Sequence, residues 1–205
     1  MAGIPGRAAV TENVEVPLGT HAPSVELPGP ATELAAAGAG QLCWSGVALP
    51  PTTVLGRRVV IVAELLPDVH AERICLGLTP ETDRATVATW VWPEFAGRVP
   101  APAVRIVGVM AVAKHWRTGL ASVAPFARYG DTAVVLPSSV ILTEDYLTNC
   151  LPRARTYGVA MVSADPDTGV DVDLPGRCER VLAFEDAVSR WVNEVAYAQI
   201  LASAE

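Results

Sequence analysis

Apolar residues along this chain fall into short β-branched runs and longer segments stepping by three or four, divided by proline and glycine. The run at 58–66 is short, rich in Val and Ile, and closed by Pro67 and Asp68, which predicts a buried strand. Residues 73–78 predict a second strand, and 79–83 carry turn chemistry. Residues 85–92 alternate, with Val87, Thr89 and Val91 on one face and Ala88, Trp90 and Trp92 on the other, which predicts a third strand. The expected arrangement is an antiparallel meander, ended by Pro93, Pro100 and Pro102. Residues 103–128 read in two ways. One is a strand over 104–112 with a helix from Lys114; the other is a single helix from Ala103, since Ile106, Met110, Ala113, Arg117 and Leu120 step by three or four. Gly108 and the valines favour the strand followed by the helix.

The second half is more regular. Two passages, ending at Tyr129-Gly130 and Tyr157-Gly158, each precede an apolar run, at 131–137 and 159–164. Each reads as a helix end, a left-handed glycine and a strand. Between them Thr143 is placed to cap a helix with Glu144 and Asp145 in its first turn, running to Tyr157 with a kink at Pro152. Strand, helix and strand make a βαβ unit with parallel strands. A hairpin turn at 165–169 then leads into an alternating strand at 170–174. Residues 184–204 predict a C-terminal helix whose apolar stripe is Val188, Trp191, Val195 and Ala198. That stripe is to be buried on the chain's own sheet or, alternatively, in a homodimer.

The first 40 residues are different. Pro5, Pro17, Pro23, Pro28 and Pro30 interrupt them, so no long helix or central strand runs through. Residues 13–16 alternate as a short edge strand would, and 31–39 are Ala-rich enough for a helical turn. The expectation is a Pro/Gly/Ala-rich arm over 1–40 that adds little to the core, and an α/β (or α+β) domain with a mixed β-sheet over 41–205.

Composition narrows the function. The chain has 205 residues, of which 51% are hydrophobic and 18% charged, ample for a packed core. No apolar run approaches the ~18 residues of a membrane span, and no basic patch precedes an apolar stretch at the N-terminus, so a cytoplasmic protein is expected. The net charge of −7 argues against nucleic acid, whose binding draws on Lys and Arg at phosphates. The basic residues are scattered: Arg57 and Arg58; Arg105, Lys114, His115, Arg117 and Arg128; Arg153 and Arg155. They read as a solvated surface. Cys43, Cys75, Cys150 and Cys178, and His21, His70 and His115, lack the close-spaced pairs of a zinc site, so no metal and no cofactor is expected, and the thiols are expected to be mostly buried.

Three groups of residues carry candidate chemistry. Asp165, Asp167, Asp171 and Asp173 are the most metal-like, but they lack the EF-hand spacing and suit a hairpin. Pro137, Ser138, Ser139 and Asp165 fall at the carboxyl ends of the parallel strands, where α/β proteins bind ligands. Neither a glycine-rich phosphate loop nor a G-x-S-x-G elbow accompanies them, so the serines read as loop and cap residues. Glu64 with Asp68, and Glu94 near Trp90 and Trp92, are carboxylates without a spacing that pairs them.

The strand–helix–strand–hairpin order over 129–174 resembles the second half of PD-(D/E)XK nuclease-like domains. There an acid precedes a strand carrying Glu-x-Lys. Asp131 would stand for the acid, but Leu136-Pro137-Ser138-Ser139 supply neither Glu nor Lys. The resemblance implies a degenerate, non-cleaving member with no catalytic residue carried over. The functional expectation is a non-enzymatic regulatory or accessory protein acting through protein–protein contacts. The alternative is a metal-dependent hydrolase or nuclease whose acids converge only in the fold.

Overall fold

The computed structural model describes residues 26–177 and 186–204. Its centre is a mixed seven-stranded sheet. The strands are β1 (Val47–Ala48), β2 (Thr52–Val54), β3 (Arg57–Leu65), β4 (Val104–Val112), β5 (Asp131–Pro137), β6 (Ala160–Asp165) and β7 (Gly169–Leu174). They lie in the order β1-β3-β4-β5-β6-β7, with β2 paired to β3 beside that row. β4, β5 and β6 are parallel; β3 and β7 flank them antiparallel. The class is α/β, as the βαβ pattern predicts. β5 and β6 are buried nearly end to end, which suits parallel strands covered on both faces.

Residues 103–128 resolve as strand and then helix: β4 is followed by α4 (Trp116–Val123). The β5–β6 crossover begins with α5 (Ser138–Ile141), turns at Thr143, winds as a π-helical segment over Tyr146–Cys150 and continues as α6 (Leu151–Tyr157). The kink expected at Pro152 thus takes the form of a widened turn just before it, where the proline has no N–H to offer. Thr143 Oγ1 bonds Val140 O and accepts from Tyr146 N–H at 3.3 Å, a cap for the segment expected from sequence. Gly158 closes α6 with φ 71°, the left-handed cap. Gly130 does not repeat it, because the chain reaches β5 through a short 3-10 turn over Ala124–Phe126.

Two regions differ from expectation. The second and third strands of the proposed meander are helices, α2 (Pro67–Cys75) and α3 (Arg84–Thr89). Pro67 sits in the first turn of α2, where its missing N–H costs nothing, and Asp83 accepts from Thr86 N–H at 2.8 Å to cap α3. The alternation at 85–92 is a coincidence of a short helix that buries only Val87. β3 takes β4 as its antiparallel neighbour instead. The other difference is at the start. Residues 31–39 were placed in an arm, but Ala31–Gln41 forms a full helix, α1, burying Leu34, Ala35, Gly38 and Ala39. Leu34, Ala35 and Ala39 pack with Val60, Val62, Met110, Val135 and Val162, so α1 lies on one face of the sheet. Small side chains let it lie close, which proline counting does not reveal. The strand expected at 13–16 lies outside the described residues.

On the other face α4 and α6 cover β5 and β6 through Trp116, Leu120, Leu136, Tyr146 and Met161. The C-terminal helix, α7 (Ala187–Ala204), covers β3 and β4 through Val192, Ala196 and Tyr197. The stripe is therefore buried within the chain, but rotated from the predicted one. Val188, Trp191 and Val195 are half-buried; Trp191 donates from Nε1 to Thr82 O at 2.8 Å. The fully buried line is set by Tyr197 and by Glu194, a polar residue that a search for apolar stripes passes over.

Candidate functional site

The carboxyl ends of β4, β5 and β6 meet at one edge of the sheet. Because β3 runs the other way, its first residues lie at that edge too. The edge gathers Arg57 and Arg58 from β3, Lys114 and His115 after β4, Ser138 and Ser139 after β5, and Asp165 after β6. It divides into two parts.

The acidic part closes on itself. Ser138 Oγ donates to Asp165 Oδ2 at 2.6 Å, and Asp165 Oδ1 accepts the backbone N–H groups of Asp167 and Thr168. These bonds, the one from Ser138 foremost, hold the Asp165 carboxyl below its usual range. Ser138 and Asp165, singled out from sequence, are indeed adjacent, and their contact spends the serine's proton on a turn. Asp173 points to the α6 side of the sheet. Its carboxylate accepts from Tyr146 Oη at 3.0 Å and from Ser163 Oγ at 3.1 Å. Among the described residues, no three His, Cys, Asp or Glu stand together as metal ligands.

Burial pushes the Asp173 carboxyl above its usual value of 3.8, outweighing the Tyr146 and Ser163 hydrogen bonds. A carboxyl that binds its proton more tightly when folded stabilises the fold at low pH. It loses that contribution as pH rises through its folded pKa. The Asp173→Asn variant is therefore expected to gain stability relative to the parent as pH climbs from about 4 toward neutrality. Urea unfolding of both proteins across that range checks it; a difference constant with pH would show that Asp173 titrates alike folded and unfolded.

The basic part is a cavity of about 320 Å³ bordered by Arg58, Val60, Val112, Lys114, His115 and Thr118. It opens at the N-terminus of α4, whose cap residue His115 makes no side-chain cap bond and whose first turn holds no acid. Lys114 and His115 come from one of the scattered basic groups of the sequence and Arg58 from another. Of the rest, Arg153 lies over the Trp116 ring and three arginines hold carboxylates. Arg105 pairs with Glu64, Arg128 with Asp186, and Arg117 grips Asp145 through two bonds of 2.9 Å. Trp116 Nε1 also donates to Asp145, and with Arg117 it holds that carboxyl below its usual range.

At the opposite edge a second cavity, of about 290 Å³, lies among Leu66, Val104, Ile106, Phe126, Tyr129 and Val192. Asp131 opens β5 at that end, while Pro137 and Ser138 close it. The acid and the Glu-x-Lys positions of the nuclease-like pattern thus stand at opposite ends of one strand, roughly 20 Å apart. Glu64 and Asp68 do not form a pair, since Glu64 is engaged by Arg105. Of the described cysteines only Cys150 is buried, its thiol pushed up to about 12 by burial and then by Asp145; Cys43 and Cys75 are exposed, against the expectation. Cys178 and His21 lie outside the described residues.

A mixed α/β sheet with a basic cavity at its carboxyl edge is what the fold and site define. No family model matches the chain, and neither the curated proteins nor the solved structures include a match.

The β3–β4 connection carries the other unusual surface. Ile74, Leu76, Leu78, Val91, Trp92 and Phe95 are all exposed, and they account for most of the exposed large apolar side chains among the described residues. Trp92 and Phe95 are neighbours, with ring centroids 6.5 Å apart. The connection is firmly anchored beneath them. Arg73 meets Glu194 of α7 through two bonds of 2.8 Å, Glu81 N–H donates to the same carboxylate, and Trp191 holds Thr82. No helix among the described residues is long and apolar enough to cross a membrane.

Proposed function

We propose that this is a non-enzymatic, cytoplasmic regulatory or accessory protein that acts by binding another protein through the β3–β4 connection. The observation that carries this reading is the concentration of exposed apolar side chains between residues 74 and 95. Aromatic and aliphatic groups held out in water are the usual anchors of protein interfaces. Anchoring by Arg73, Glu81 and Thr82 supports it further, because a pre-ordered surface loses less entropy on binding. The carboxylates also favour it over a metal-dependent hydrolase or nuclease: Asp165, Asp173, Asp145 and Glu64 each serve a separate local bond.

The test compares the parent with a Trp92→Ser, Phe95→Ser variant in affinity purification from the native host, followed by mass spectrometry. Both side chains are exposed, so the melting temperature is expected to stay within about a degree or two, the effect of a surface change. A partner recovered by the parent and lost by the variant is the expected result. The same proteins recovered by both would overturn the reading. So would Mg²⁺- or Mn²⁺-dependent nucleic-acid cleavage that is lost in Asp131→Ala.

A further inference from the structure

Lys114 is the chain's one lysine, among fifteen Lys and Arg residues. It lies at the carboxyl end of β4, on the rim of the basic cavity with Arg58 and His115. Among the described residues none of these three side chains has a hydrogen-bonding or ionic partner, whereas Arg73, Arg105, Arg117 and Arg128 all do. Among the described residues no acid borders the cavity. Two cations bordering one space repel each other, and an anion placed between them would relieve that repulsion.

The backbone adds to the same field. α4 begins at the rim with uncapped N–H groups and no acid in its first turn, so its positive end faces the cavity. Asp145, which Trp116 and Arg117 of the first turn of α4 hold, does not border the cavity. Thr118 brings a hydroxyl, and Val60, Val112 and Pro51 make an apolar floor. Lysine is the compact, mobile point charge of the two basic side chains, well suited to a phosphate oxygen. The volume is at the small-molecule end of binding sites, which begin at about 300 Å³. A long polyanion is disfavoured by the net charge of −7.

We propose that this cavity binds a phosphate dianion, free or as the monoester of a small molecule, with Lys114, Arg58, His115 and the N-terminus of α4 as its ligands. This goes beyond the docking role of the β3–β4 connection and stands independently of it.

Isothermal titration of the full chain, at constant ionic strength set with chloride, tests it. The probes are inorganic phosphate, adenosine monophosphate and a single-stranded oligonucleotide. One-to-one binding of both small probes is expected. Tighter binding of the monophosphate assigns the apolar floor to the body of a phosphorylated molecule; equal or weaker binding assigns the site to free phosphate. Lys114→Met and Arg58→Ala should each weaken binding about tenfold or more, the loss of one charge-assisted bond. Lys114→Arg should retain most of it, and Arg155→Ala, on the exposed end of α6, should change nothing. All are surface substitutions, and circular dichroism confirms that each variant is folded. The proposal is overturned by heats no larger than those of chloride, by affinities unchanged in Lys114→Met, by an equal loss in Arg155→Ala, or by an oligonucleotide that binds more tightly than either small probe.

Discussion

Replacing Glu194 with alanine is expected to lower the unfolding free energy by about 3–5 kcal/mol, the range for breaking a buried ion pair from one side. Arg73 and Glu194 are 2% and 1% exposed, and both guanidinium nitrogens facing the carboxylate bond to it at 2.8 Å. Arg190, on the same helix as Glu194, adds a second cation 3.7 Å from the carboxylate and bonds Pro100 O. Removing the carboxylate strands Arg73 out of water, beside the ring of Tyr197 and the carbonyls of Thr79 and Ala101. The double variant Arg73→Met, Glu194→Leu should recover most of the loss, since an apolar pair of similar size incurs no desolvation of charge. Urea denaturation of the three proteins measures this. A loss below about 1 kcal/mol for Glu194→Ala would place the pair among solvated bridges. The same bonds fasten the β3–β4 connection to α7, so Glu194→Ala should also weaken the docking proposed for that connection without any change at Trp92 or Phe95.

Gly46→Ala is the second large effect, about 2–5 kcal/mol from backbone strain and crowding together. Gly46 has φ 100°, and a methyl group there would lie 2.4 Å from the carbonyl oxygen of Ala63. Neither β1 nor β3 can yield easily, because Val47 and Ala63 are paired across them. Gly56 is the natural comparison. Its φ is 71°, yet no atom lies within 4 Å of the position a methyl would take. Gly56→Ala should therefore cost only the left-handed conformation, about 1–2 kcal/mol. Thermal unfolding of the pair separates strain from crowding: equal losses would mean that β1 moves aside at no cost.

Much of the second half was legible in the sequence because its information is local. Arg155, Tyr157 and Gly158 end a helix through the geometry of a few residues, and the β-branched runs at 131–137 and 159–164 can only be buried strands. The region 66–102 was not legible. Its apolar residues alternate by accident, while the interactions that make it helical are a proline at one N-terminus and an aspartate cap at the other. α1 was hidden for another reason. Alanine and glycine produce a weak stripe, and their burial depends on how closely the helix can approach the sheet.

The candidate cavity shows the same division. The sequence supplied Lys114 and His115 after a strand and Arg58 in a separate group, and each reads by itself as a solvated charge. Only the antiparallel pairing of β3 with β4 brings the start of one strand to the end of the other. Only the fold puts Arg105 and Arg128 at the opposite edge and holds Arg117 on Asp145, so that Lys114 and Arg58 are the cations bordering that space among the described residues. By itself the sequence determined the α/β class, the βαβ unit and the end of α6 at Gly158, because these follow from torsional preference and side-chain period over a few residues. Tertiary structure alone decided which charges are spent on partners, which face of α7 is buried and which apolar residues remain exposed. Those outcomes depend on neighbours distant along the chain, and no local pattern encodes them.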